Sequence, residues 1–295
     1  MSAFESIAEP QPRYSSDDPQ AVPVPGLPGA AAQRTAYVPE QLSAGRSYSP
    51  IGEVAAGTVL LHAPGIGRFL VRNGSTIEYM VFAGADEMAV ERFLWSQARS
   101  ALIHQRGDLP LHAAAVSRPD ASRAICICGA SGAGKSSTAA ELMRLGWGAL
   151  ADDQSRIEVG RESVCVWPGP RRLRLCLDAC AKLAIDTAAL RIDPEDASKV
   201  MIDLPAAHAP QRLEAVIELG GDEPSPRLEK LEGAQAMAVL TRHVVGPRKM
   251  RAIQTPERHV ATVAAIARSV SLWRLHGRRT ASARTLAAYL NSALQ

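Results

Sequence analysis

Ala124-Ile125-Cys126-Ile127-Cys128 runs directly into Gly129-Ala130-Ser131-Gly132-Ala133-Gly134-Lys135-Ser136-Ser137, and how this stretch is read decides the fold. The apolar run has the length and composition of a buried strand. The glycine-rich part satisfies G-x-x-x-x-G-K-[ST]. Beyond it Ala139, Leu142, Met143 and Leu145 recur at helical spacing, which predicts a helix over 137–145. Strand, loop and helix follow in the order that a phosphate-binding loop requires. Glycines let backbone N–H groups converge on phosphate oxygens without Cβ clashes. Lys135 would neutralise phosphate charge, and the Ser136 hydroxyl would ligate Mg²⁺. Residues 129–137 are therefore the candidate nucleotide-binding residues.

Working outward, Gly146 and Gly148 end the helix, and Ala149-Leu150-Ala151 reads as a strand that delivers Asp152 and Asp153 at its carboxyl end. In open α/β sheets ligands bind at that end, so both acids would face the loop. Adjacent carboxylates allow a division of labour. One can hold the metal or its waters while the other accepts a proton from an attacking hydroxyl. A solvated turn bearing two acids fits the same residues. Upstream, 109–116 predicts one strand in which His112 is the only polar side chain, as a satisfied core histidine or as a site residue.

Composition narrows the remaining classes. A net charge of +3 gives no reason to expect nucleic acid, and no apolar run approaches the ~18 residues needed to cross a bilayer. The N-terminus lacks a basic-then-apolar signal, so a cytoplasmic location with no membrane partner is expected. Cys126, Cys128, Cys165, Cys176 and Cys180 form no CxxC pair, and they read as free thiols acting as small hydrophobes.

Residues 1–44, rich in Pro, Ser, Gln and Ala, read as a disordered tail. A small β-plus-helix lobe is expected over 45–108. It has short β runs, a hairpin at Asn73-Gly74, and a helix over 86–105 with Asp86 as N-cap and Gly107 as its stop. The phosphate-loop domain would occupy 109–295. There the sequence suggests a hairpin through 157–159 and 164–167 and helices over 178–189, 232–243 and 257–267. A basic loop spans 242–251, a strand 270–275, and a last helix, capped by Thr280, 280–294. Arg172 and Arg174, interleaved with Leu173 and Leu175, suit bidentate phosphate contact or a solvated strand face. Arg248 in the basic loop is a further candidate.

Taken together, Leu111-His112, the stretch 129–137, Gly146 and Leu150-Ala151-Asp152-Asp153 resemble the HPr kinase/phosphorylase superfamily. Asp153 follows Lys135 by eighteen residues, the family's own spacing. The resemblance covers about residues 51–175 well. It implies an α/β fold, a P-loop core with a mixed sheet preceded by the small lobe. It also implies ATP and Mg²⁺ as cofactors, Asp153 as the base that deprotonates an acceptor serine, and Asp152 with Ser136 at the metal. Lys135 would bind phosphate, and His112 would be a partner of the Asp pair, either supporting it from behind or taking part in catalysis. The segment 105–112 looks like the divergent HPr-kinase-like proteins of peptide-biosynthesis clusters, of which the lasso-peptide kinases phosphorylate the C-terminal serine of a precursor peptide. Arg172, Arg174 or Arg248 would then bind a terminal carboxylate or the transferred phosphate. Members form symmetric assemblies, so self-association is implied as well. A nucleotide-binding regulatory module that transfers nothing, and a small-metabolite kinase, are the rival readings.

Overall fold

The computed structural model describes residues 21–194, 196–204, 209–221, 223, 225–277 and 281–294. They form two units. One is built from Leu111–Val244 and the chain from Val263 onward. The other combines the described residues up to Pro110 with Val245–Thr262. The second unit therefore takes back a late segment that was expected to belong to the phosphate-loop domain.

In the loop-bearing unit, Arg123–Gly129 lies inside a mixed sheet. It pairs antiparallel with Ala113–Ser117 and parallel with Gln211–Leu219. Burial on both faces explains why 124–128 is continuously apolar rather than alternating. Ala113–Ser117 pairs in turn with Gly148–Ala151 at the sheet margin. On the far side, Gln211–Leu219 pairs early with Val164–Trp167 and later, in parallel, with Ser271–Leu275. The expected hairpin is present as Ser155–Val159 against Val164–Trp167.

One sheet face, including Ile125 and Ile127, packs on the helix Lys135–Arg144 and the C-terminal helix Ala283–Ala293. The latter is capped by Ser282; Thr280, the expected cap, lies outside the described residues. Cys126 and Cys128 are free and fully buried, and burial pushes the Cys126 thiol up to about 12, in keeping with inert core thiols. A separate three-stranded sheet, Arg172–Cys176, Asp196–Asp203 and Arg191–Asp193, sends Leu173 and Leu175 into the same core. Strand alternation then puts Arg172 and Arg174 on its other face.

The second unit is a seven-stranded sheet with a helical layer. Arg72 and Thr76 pair across Asn73-Gly74, both of which have positive φ, so the hairpin forms as expected. The helical segment runs as Glu87–Phe93, a π-helical stretch Leu94–Ala98, and Arg99–Arg106. Asp86 Oδ1 accepts from Met88 N, and Gly107 ends it at φ 86°.

Two expectations need correction here. Residues 1–20 lie outside the described residues, but 21–44 are not an irregular tail. Val22–Pro23 and Ala31–Arg34 are strands, the latter parallel to Thr76–Val81, and Val24, Leu27, Ala30 and Ala32 are buried in the core. The basic stretch 242–251 is not a loop throughout, because Gly246 in the left-handed region and Pro247 at the first helical position start a helix, Pro247–Ile253. No helix among the described residues is long and apolar enough to cross a membrane.

Candidate nucleotide site

The loop 129–134 joins the buried strand to a helix whose N-cap is Gly134. Gly132 and Gly134 have φ of 74° and 93°, and a Cβ at either would meet nothing within 4 Å, so backbone conformation rather than crowding requires glycine there. Gly134 offers no side-chain cap, which leaves the first-turn N–H groups of the helix for another acceptor. Lys135 folds back over the loop, with Nζ donating to Gly129 O at 3.1 Å and Ala130 O at 3.2 Å. Burial lowers its pKa, and the carboxylates of Asp152 and Asp153 oppose that shift. Ala133 is buried, whereas Ala130, Ser131 and Gly132 are exposed and Ser137 half-buried.

The Asp pair stands against the loop. Ser136 Oγ donates to Asp152 Oδ1 at 2.8 Å, and the Arg174 backbone N donates to Asp152 Oδ2 at 2.9 Å. Burial raises Asp152 to about 6, and the neighbouring Asp153 charge adds to the rise. Asp153 has φ 64°, and Gln154 N bonds Asp152 O across it at 2.7 Å, which is the positive-φ form of a γ-turn. That conformation is rare and strained for a residue with a side chain. It turns Asp153 away from Asp152, so the two acids face different partners. Ser136 Oγ and Asp152 supply two hard oxygen donors, and Mg²⁺ suits one or two such protein ligands completed by phosphate oxygens and water. The donor set fits Mg²⁺. No group of three or more His, Cys, Asp or Glu among the described residues is arranged to hold a metal by itself.

His112 does not lie within one continuous strand, as expected. It interrupts two, Leu109–Leu111 and Ala113–Ser117. Its backbone N donates to His243 O at 2.7 Å, and Nδ1 donates to Asp153 O at 2.9 Å while standing 3.3 Å from Asp153 Oδ1. Burial and then Lys135 lower its pKa, against the pull of Asp153. His243 Nε2 in turn donates to buried Glu218 at 2.9 Å. Burial alone would raise Glu218, but bonds from His243 and Arg274 and the nearby Arg242 hold it down at about 2.

Of the arginines, Arg174 reaches the site, with Nη1 3.6 Å from Asp153 Oδ2. Arg172 stands 3.9 Å from Asp203, and Arg248 is an exposed residue of the other unit. Glu218, His243 and Asp193 escaped sequence reasoning, because an isolated acid or histidine carries no local signal.

No family model and no curated protein matches the chain. Among solved structures, the HPr(Ser) kinase/phosphatase from Coxiella burnetii is similar, at 16% identity and a TM-score of 0.25, over 41% of this chain and 72% of that one. A likeness this distant carries no weight for activity or substrate. The mixed α/β architecture with its phosphate-loop geometry stands on the coordinates themselves.

Proposed function

We propose that this chain is an ATP- and Mg²⁺-dependent serine kinase acting on a peptide or small protein, most specifically on the C-terminal serine of a lasso-type precursor peptide. The observation that carries the reading is the 2.8 Å hydrogen bond from Ser136 to Asp152, with Asp153 beside it held by His112. It joins the end of a phosphate loop to a pair of acids. Mg²⁺, when bound, would screen the phosphate charge, held through Ser136 and Asp152. Lys135 neutralises phosphate, the loop N–H groups orient it, and Asp153 takes the proton of the acceptor hydroxyl. Holding the Asp153 backbone through His112 limits the reorganisation needed during transfer.

The test is γ-phosphate transfer from labelled ATP to serine-terminated precursor peptides, read by mass, with wild type beside Asp153→Asn. Asparagine tolerates positive φ at least as well as aspartate, so the variant removes the base without adding strain. A phosphate gained on serine by wild type and lost in the variant is expected. Nucleotide binding without transfer to any peptide, protein or metabolite would refute the kinase and support a regulatory module. Transfer to a metabolite alone would move the acceptor class.

A further inference from the structure

Arg172 and Arg174 lie on one face of the same strand. Arg172 is 3.9 Å from the half-exposed Asp203, a contact of little energetic consequence. Arg174 donates through Nε to Asp193 Oδ2 at 2.5 Å, and the Asp193 side chain is fully buried. Asp193 ends the strand Arg191–Asp193, and the pairing register with Asp196–Asp203 shifts between Ile192 and Asp193. Irregularities of this kind re-aim a side chain. Burying an ion pair contributes little to stability compared with an apolar pair of the same shape, so stability alone gives no reason for it.

What the pair does is fix a fork. With Nε anchored, the guanidinium plane is set, and Nη1 stands 3.6 Å from Asp153, too far for a hydrogen bond. That edge can donate to a better acceptor brought beside it. The Arg174 backbone N is tied to Asp152, and Asp152 to Ser136, while its guanidinium stands beside Asp153, so backbone and side chain both border the Asp pair. In phosphate-loop proteins that hydroxyl would help to hold the metal of a bound nucleoside triphosphate, so an arginine beside the Asp pair has a phosphate as its natural acceptor. We propose that Asp193 is a positioning residue whose buried carboxylate holds Arg174 beside Asp152 and Asp153, so that Arg174 binds the terminal phosphoryl group of a nucleoside triphosphate. This rests on the nucleotide-binding reading of the loop, though not on any acceptor.

The experiment is calorimetry on the full chain with Mg²⁺, comparing a non-hydrolysable ATP analogue with ADP. The proteins are wild type, Arg174→Gln, Asp193→Asn and the double variant, with melting curves to confirm folding. Each single variant should weaken the triphosphate analogue by about tenfold to a hundredfold, the scale of a misplaced orienting group, and leave ADP unchanged. The double variant should be no weaker than Arg174→Gln, because on this proposal Asp193 affects the triphosphate through Arg174. Equal losses for both nucleotides, or additive losses in the double variant, would overturn the proposal and leave the nucleotide site standing. Should Asp193→Asn fail to fold, undiminished analogue affinity in Arg174→Gln overturns it just as well. Wild type that binds neither nucleotide removes the loop reading and this proposal together.

Discussion

Replacing Asp152 with Asn should stabilise the metal-free protein at neutral pH while removing its function. In the folded protein Asp152 titrates at about 6 instead of its ordinary 3.8, so the folded state holds the proton more tightly than the unfolded chain. The sign follows from that. Stability is fullest below pH 3.8 and is lost as pH rises through about 6. A two-unit shift corresponds to about 3 kcal/mol at pH 7.5, shrinking to about 1 kcal/mol at pH 4.5. Asparagine can keep both contacts, its Oδ1 accepting from Arg174 N and its Nδ2 donating to Ser136 Oγ, which can reverse its role. The charge-assisted character of those bonds in the wild type is already contained in the folded value of about 6. The variant should therefore gain about 3 kcal/mol at pH 7.5 and about 1 kcal/mol at pH 4.5. Urea unfolding in the presence of a chelator measures both values. A variant less stable than wild type at pH 7.5, or one whose difference is the same at both pH values, would refute the reasoning.

Other outcomes follow from the same geometry. Burial lowers buried Lys249 to about 7, so the unfolded chain holds that proton more tightly. Wild-type stability should rise by roughly 2 kcal/mol between pH 7 and 9, a rise that Lys249→Met should abolish in chemical denaturation. Gly134→Ala meets no atom, so its cost is the left-handed backbone alone, about 1–2 kcal/mol in stability, with weaker nucleotide binding by calorimetry. Asp86→Ala removes the cap on Met88 N and should lower the melting stability of its unit by about 1 kcal/mol with no change at the nucleotide site.

The parts legible in the sequence are those governed by short-range rules. The loop, the acids at a strand end, the Asn73-Gly74 hairpin and the ends of the helix at Asp86 and Gly107 each depend on a few adjacent residues with fixed backbone demands. What escaped depends on partners far along the chain. Ala31–Arg34 is too short for periodicity and becomes a strand only by pairing with Thr76–Val81. Gly246-Pro247 carried a usable signal, proline opening a helix, but the surrounding basic residues suggested a loop. Arg-Leu-Arg-Leu from 172 to 175 alternates as a strand should. Yet nothing local distinguishes Arg174 from Arg172, because the distinction is made by Asp193, nineteen residues on.

The interleaving of the two units has a consequence for synthesis. The segment Val245–Thr262 closes the unit that begins before Pro110. Val245 O accepts from His104, Lys249 Nζ donates to Gln97 and Ser100, and Gln254 donates to His104 O. On the ribosome, the first-made unit must wait, with these groups unmet, until all of Leu111–Val244 has emerged. The nascent chain thus holds an unfinished half open while the other is being made, and a pause or a chaperone acting before residue 262 would decide how often it closes correctly.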